Sequence, residues 1–163
     1  MINVAGFLDN SMMNGKGIRS VLFTQGCPHH CEGCHNKHTW SYKTNKLLTV
    51  SEIYDMVIEN QEIIRGVTFS GGEPFLWAGE LIKLAYKIHN ETDLDIWCYT
   101  GFTLEQLINT KDREVMLLLK NIDVLVDGKF EINNMEGAHK YTGSKNQRVI
   151  NMKDVNLKEY CCK

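Results

Sequence analysis

The sequence has little proline, little charge imbalance and no long apolar run, and each shortage excludes a class of protein. Only Pro28 and Pro74 occur in its 163 residues, and no low-complexity tract suggests disorder. The net charge of −2 argues against nucleic acid as the main partner, because phosphate binding needs an excess of Lys and Arg. No stretch reaches the roughly 18 apolar residues that cross a bilayer, so no membrane partner is expected.

The N-terminus lacks a charged segment followed by a long apolar run, so no signal peptide is predicted and a cytoplasmic location is expected. Thiols are kept reduced in that compartment. The clustered cysteines therefore favour metal binding or redox chemistry over a structural disulfide. The length suits a single domain over residues 1–163, with a core at about 15–150 and a C-terminal tail at 151–163.

Short apolar runs alternate with helical patterns along the chain. Strands are predicted at residues 18–24, 66–69, 96–99, 123–126 and 148–150. Capping boxes begin helices after Thr49 and Thr103, the second continuing through Met116 and Leu119, and a further helix is predicted at about 79–90. This alternation predicts an α/β fold with a mainly parallel sheet. Because a closed eight-unit barrel needs about 250 residues, the sheet is expected to form a partial, open β/α barrel.

Chemically distinctive residues follow the predicted strands directly. They are Cys27 after the first strand, residues 70–73 after the second, residues 100–101 after the third and residues 127–129 after the fourth. In parallel α/β folds, ligands bind at the C-terminal ends of the strands. The sequence therefore predicts that four loops meet at one site.

The loop GCPHHCEGCHN, residues 26–36, holds Cys27, Cys31 and Cys34 in the spacing C-x3-C-x2-C. Three thiolates at this spacing can bind an iron–sulfur cluster and leave one iron free for another molecule. They can also supply three of the four ligands of a zinc ion, with a nearby histidine as the fourth. The histidines available are His29, His30, His35 and His38. Structural zinc sites usually combine two separated ligand pairs, which favours the cluster.

Four stretches, in this order, resemble the radical S-adenosylmethionine enzymes. They are GKGIRSVLFTQGCPHHCEGCHNKHTW at 15–40, TFSGGEP at 68–74, DVLVDGKFE at 123–131 and YTGSKNQRVI at 141–150. The cysteine spacing and the downstream GGE are typical of the superfamily. The stretch GSKNQR narrows the resemblance to the activating enzymes of anaerobic (class III) ribonucleotide reductase.

This resemblance implies an oxidoreductase with a [4Fe–4S] cluster on Cys27, Cys31 and Cys34, whose open iron binds S-adenosylmethionine. One electron from the cluster would release a 5′-deoxyadenosyl radical, which takes hydrogen from a glycine of the reductase. The implied partners are anaerobic ribonucleotide reductase, as the protein substrate, and a reduced flavodoxin-type electron donor. Two alternatives stay open: a related radical enzyme acting on another glycyl-radical enzyme or a small molecule, and a zinc-binding interaction module.

The S-adenosylmethionine site is expected to include the GGE stretch. The carbonyls of Gly71 and Gly72 and the carboxylate of Glu73 offer acceptors to the methionine ammonium, and glycine lets the backbone approach closely. Taken alone, the same residues would also suit a strand-to-helix turn in which Pro74 starts the next segment.

Further cofactor contacts are predicted on three segments. By resemblance, Asp127 suits a ribose hydroxyl or a bound cation, and Lys129 suits the S-adenosylmethionine carboxylate; an ordinary solvated loop is the alternative. The backbone of residues 33–35, which are Gly33, Cys34 and His35, is expected to contact adenine. Arg148 is predicted to pair with an anionic group, or else to cap the sheet edge.

Other cysteines and histidines are not expected at the site. Cys98 lies inside a predicted strand and is expected to be a buried core thiol. His89 and His139 are expected at the surface. Cys161 and Cys162 are expected to be thiols of the tail.

Overall fold

The computed structural model describes residues 1–157, which form seven strands of one sheet and four α-helices. The strands are β1 (Ile2–Ser11), β2 (Arg19–Thr24), β3 (Lys46–Leu48), β4 (Gly66–Gly71), β5 (Asp95–Tyr99), β6 (Val124–Asp127) and β7 (Arg148–Asn151). The helices are α1 (Val50–Ile58), α2 (Ala78–Glu91), α3 (Leu104–Asn109) and α4 (Arg113–Lys120). Within this described range, no helix has the length and apolar character needed to cross a bilayer. Cys161 and Cys162 lie outside the described residues.

The sheet is open and mixed, with the strand order β3-β1-β2-β4-β5-β6-β7. The predicted α/β fold is confirmed, and β2, β4, β5 and β6 pair in parallel. The edges differ from the prediction, because β1 runs antiparallel to β2 and β3, and β7 runs antiparallel to β6. β1 was not predicted: the second half of this strand is largely exposed and its pairing is irregular, so it lacks a clear period of two.

Three of the four described helices begin at a side-chain cap, and α2 is the exception. Both predicted capping boxes are present, at Thr49 and Thr103. The helix expected to continue from Thr103 through Met116 is instead two helices, α3 and α4. Lys111 takes a left-handed conformation at φ 53°, and Asp112 caps α4 by accepting hydrogen bonds from the first backbone N–H groups of that helix.

The two faces of the sheet differ in character. One face packs against the helices and carries buried apolar side chains, namely Leu22, Phe69, Ile96, Cys98 and Leu125. Cys98 is fully buried there, which confirms it as a core thiol. The other face carries polar and aromatic groups. At the N-terminal strand ends of that face, the fully buried Arg19 donates to Thr68 Oγ1 (2.8 Å), pairs with Asp95 Oδ1 (2.6 Å) and lies over the Trp97 ring.

Candidate active site

A cavity of about 220 Å³ lies at the C-terminal ends of the parallel strands. The cysteine loop after β2 forms one wall, and the residues after β4, β5 and β6 form the others. The glycines in this lining are Gly71, Gly72, Gly101, Gly128 and Gly143, and the aromatic side chains are Trp40, Tyr99 and Phe130. Four loops that are far apart in the sequence therefore meet at one cavity.

The predicted site residues divide into two groups. Those that line the cavity are Cys27, Cys31, Cys34, His35, Gly71 and Gly72. Those that lie outside its lining are Gly33, Glu73, Asp127, Lys129 and Arg148. The second group contains every charged residue that was predicted to contact the cofactor.

The cysteine loop is held by its own backbone. Gly26 N donates to the carbonyl of Thr39 (2.7 Å), and Cys34 N donates to the carbonyl of Cys31 (3.1 Å). The chain reverses at Gly33, whose φ is 73° and where a Cβ would lie 2.6 Å from the Ile132 side chain. Only glycine suits a position that combines this φ with so little space, so Gly33 shapes the loop.

Burial governs the acidity of two of the three thiols. Burial raises the pKa of the Cys27 thiol, and the nearby Glu73 carboxylate adds to the increase. Burial also raises the pKa of the Cys31 thiol, while the positive charge of Lys129 opposes the change. Because metal–sulfur binding needs thiolates, loading the site must release protons. Within residues 1–157, no three His, Cys, Asp or Glu side chains come together as ligands of a single metal ion.

Gly71 and Gly72 line the cavity, and the side of each residue where a Cβ would lie packs closely against protein backbone. Gly71 has φ 101°, and a Cβ there would lie 2.5 Å from Thr24 N. A Cβ on Gly72 would overlap the carbonyl of Gly26. The Trp40 Nε1 atom, which is buried and so does not face the open cavity, has no hydrogen-bond partner within the described part of the chain. Three thiols and the Gly71–Gly72 backbone in one lining fit a cluster bound by three cysteines together with a polar ligand.

The Glu73 carboxylate does not line the cavity and is bonded to residues that do. The side chain is fully buried and accepts hydrogen bonds from His29 Nε2 (2.7 Å), Thr100 Oγ1 (2.9 Å), Gly101 N (3.0 Å) and Phe75 N (3.1 Å). The group that was predicted to accept the ammonium of S-adenosylmethionine is thus bonded inside the protein. In the same GGE stretch, Gly71 and Gly72 do line the cavity.

Asp127 and Arg148 pair with each other. Asp127 is buried at the end of β6, accepts from Leu104 N (2.7 Å) at the start of α3, and receives two hydrogen bonds from the Arg148 guanidinium. Arg148 also binds both oxygens of Glu105, at 3.0 and 2.7 Å. These bonds lower the pKa of Glu105 to about 2, so the stabilisation from Glu105 is present above about pH 4.5 and is lost as the pH falls towards 2.

Arg148→Gln is therefore expected to lower the free energy of unfolding by about 2 kcal/mol, because it leaves the buried Asp127 carboxylate without its cation. Urea denaturation of the variant and of wild type measures the difference. Lys153→Gln, which changes an exposed cation near β7, is the control and should stay within about 0.5 kcal/mol. Equal stability of Arg148→Gln and wild type would contradict the structural role of this ion pair.

The connection between β6 and β7, residues 128–147, covers the polar face of the sheet. Tyr141 packs edge-on against Trp97 (ring centroids 5.4 Å apart) and its carbonyl accepts from Tyr99 Oη (2.8 Å). Gln147 fixes the end of this segment, since its side chain donates to the Gly128 carbonyl (2.9 Å) and accepts from Gly143 N (2.7 Å). The stretch GSKNQR thus builds a wall of the cavity.

Several residues of the cavity were missed by sequence reasoning. Asn14, Thr39, Trp40, Tyr99, Phe130 and Gln147 all line it. Trp40 and Gln147 lie within the stretches that carry the family resemblance, so their position in those motifs was an available signal. Phe130 lies in such a stretch as well. Asn14 and Tyr99 do not, and their approach to the cavity depends on how separate segments pack.

Comparison with known proteins identifies the family to which the chain belongs. The model of the family described as "4Fe-4S single cluster domain" matches residues 13–150. The anaerobic ribonucleoside-triphosphate reductase-activating protein of Haemophilus influenzae is 32% identical over 93% of this chain and 99% of its own length. The proteins of the same name from Vibrio cholerae and from Enterobacteria phage T4 are 38% and 34% identical, over 85% and 84% of this chain and 90% and 86% of their own lengths.

A weaker likeness is found among solved structures. The crystal structure of QueE from Escherichia coli has a TM-score of 0.45 and 20% identity, covering 63% of this chain and 52% of that chain. The sequence relatives extend over nearly the whole chain, and they confirm the family that the motifs predicted. The chain therefore belongs to the family of anaerobic ribonucleoside-triphosphate reductase-activating proteins, enzymes whose cofactors are a [4Fe–4S] cluster and S-adenosylmethionine.

Proposed function

We propose that this chain activates anaerobic ribonucleotide reductase by generating a glycyl radical on it. The cluster, when bound, would supply the one electron that splits S-adenosylmethionine into methionine and a 5′-deoxyadenosyl radical. The radical would take a hydrogen atom from a glycine of the reductase and become 5′-deoxyadenosine. The observation that carries the proposal is that the three cysteines and the bare Gly71–Gly72 backbone line one cavity, in a member of the reductase-activating family.

The proposed fold for this activity is one domain over all 163 residues, with the open sheet acting as a partial β/α barrel. Cys27, Cys31 and Cys34 would hold the cluster. The left-handed turn at Gly33 and the hydrogen bond from Asn36 N to Cys34 Sγ (3.3 Å) orient the third sulfur. Hydrogen bonds to sulfur are among the factors that set cluster potential.

S-adenosylmethionine would be bound mainly by backbone. The carbonyls of Gly71 and Gly72 suit its ammonium group. The backbone of residues 33–35 remains the proposed adenine contact, next to the Phe130 ring, which lies 5.4 Å from the His35 ring.

The charged residues predicted for the cofactor have different proposed roles. Lys129, whose charge acts on Cys31, is exposed, and it is proposed to attract the S-adenosylmethionine carboxylate. Asp127 and Arg148 are proposed to support the cofactor site without contacting the cofactor, since their ion pair fixes the end of β6 and the start of α3. The aromatic side chains of Trp40, Tyr99 and Phe130 limit the entry of water, which protects a reactive radical.

Anaerobic ribonucleotide reductase is the proposed protein substrate and a reduced flavodoxin-type protein the proposed electron donor. A cytoplasmic location is proposed as well, since that compartment keeps the three thiols reduced.

Anaerobic reconstitution tests the proposal. With iron, sulfide, dithionite and S-adenosylmethionine, the chain is expected to release 5′-deoxyadenosine, measured by chromatography. With the reductase added, an electron paramagnetic resonance signal of a glycyl radical is expected. Formation of 5′-deoxyadenosine without that signal would favour action on another glycyl-radical enzyme or a small molecule. Stoichiometric zinc without iron would support the interaction module instead.

A further inference from the structure

The Glu73–His29 pair joins three loops of the site. Glu73 follows β4, His29 lies two residues after Cys27, and Thr100 and Gly101 follow β5. The Glu73 side chain has no solvent exposure and the His29 side chain is 6% exposed, with Nε2 and Oε2 2.7 Å apart. The cysteine loop is therefore tied to the ends of two neighbouring strands through one buried carboxylate.

The donors around Glu73 suit an ionised carboxylate. Gly101 N–H donates to Oε2 and Phe75 N–H donates to Oε1, and a backbone N–H cannot accept a proton in return. The Thr100 hydroxyl lies 2.9 and 3.0 Å from the two oxygens, so it bonds to the same group. The hydrogen bonds thus hold a negative charge in a site without solvent.

The surroundings of His29 leave the ring little freedom. The Phe102 ring packs edge-on against it, with centroids 4.5 Å apart. A Cβ at Gly101 would lie 2.6 Å from His29 Nε2, so the absence of a side chain at this position makes room for the ring. The distance to Glu73, the ring contact and this close approach together fix the imidazole, and with it the start of the cysteine loop.

We propose that Glu73 and His29 form a positioning pair. Glu73 holds the cysteine loop through His29, and its fixed negative charge makes the cluster harder to reduce. In this arrangement Glu73 is not a ligand of S-adenosylmethionine. The inference rests on the proposed function only in explaining why a low cluster potential is useful, since a strongly reducing cluster suits cleavage of S-adenosylmethionine. Its physical basis is that a buried anion opposes the addition of an electron nearby. The charge of Glu73 also acts on Cys27, which agrees with this arrangement.

Glu73→Gln tests the charge, because it removes the charge and keeps the size of the side chain. In the reconstituted protein without S-adenosylmethionine, redox titration followed by electron paramagnetic resonance should give a more positive midpoint potential than wild type. Affinity for S-adenosylmethionine, measured by equilibrium dialysis, should stay close to wild type. Loss of a direct bond to the ammonium would instead weaken binding about tenfold or more.

Glu32→Gln is the matched control. Glu32 belongs to the same cysteine loop but is exposed, so water screens its charge and the midpoint potential should change much less. An unchanged potential in Glu73→Gln, or a shift no larger than that of Glu32→Gln, would overturn the role of the charge. Weakened binding of S-adenosylmethionine at an unchanged potential would make Glu73 a ligand of the cofactor.

Variants of His29 test the link to the loop, and they keep the positioning role falsifiable if Glu73→Gln does not fold. His29→Gln keeps an N–H donor towards Glu73 and should retain most of the bound iron, whereas His29→Leu should lose iron more readily to a chelator. Equal iron retention in both variants would contradict the positioning role. These readouts do not involve the reductase, so absence of a glycyl radical would refute the proposed function and leave this inference intact.

Discussion

Serine at any one of Cys27, Cys31 and Cys34 is expected to leave the chain without its [4Fe–4S] cluster. The three side chains line the same cavity, and among the described residues they are the only thiols in that lining. A serine hydroxyl stays protonated at neutral pH and is a poor ligand of iron, so each variant retains two thiolates for a cluster that needs three from the protein. Iron and sulfide analysis after anaerobic reconstitution should give about four irons per wild-type chain and almost none in the variants.

Cys98→Ala is the control for this experiment. Cys98 is buried on the helix-covered face of the sheet, so its loss should cost some stability and no iron. Serine at both Cys161 and Cys162, which lie outside the described residues, is likewise expected to leave the iron content intact. Full iron content in Cys31→Ser would contradict the assignment of the ligands.

Gly72→Ala is expected to damage both stability and cofactor binding. The new methyl group would overlap the Gly26 carbonyl, which itself accepts a hydrogen bond from Glu73 N (2.8 Å). Because both partners are backbone, neither can rotate away, and the end of β4 must separate from the cysteine loop. A cost of about 3 kcal/mol in unfolding free energy is expected, at the upper end of overpacking effects. Urea denaturation and equilibrium dialysis with S-adenosylmethionine measure the two effects.

Gly6→Ala is the matched control, since the same methyl group in β1 would meet only the Phe23 ring at 4.0 Å, an ordinary contact. This variant should fold and bind S-adenosylmethionine as wild type does. If Gly72→Ala behaved in the same way as Gly6→Ala, the close packing of the GGE stretch against the cysteine loop would be wrong.

Local signals predicted much of the fold because each depends on neighbouring residues. The apolar runs that became β2, β4, β5 and β6 are buried central strands, and the capping boxes at Thr49 and Thr103 close hydrogen bonds within four residues. The break at Lys111 was missed because apolar spacing continues across it. The antiparallel edges were missed because β1 is held by its partner strands and only its first three residues are buried.

The sequence by itself identified the family and, as candidate site residues, the three cysteines and the glycines of the GGE stretch. It could do so because these signals are residue types at fixed spacing. The tertiary structure decided what the charged residues do. Glu73 contacts His29, 44 residues away, and Asp127 contacts Arg148, 21 residues away. Whether a carboxylate faces a ligand or a partner inside the protein depends on groups that only folding brings within about 3 Å of it, and no local pattern carries that information.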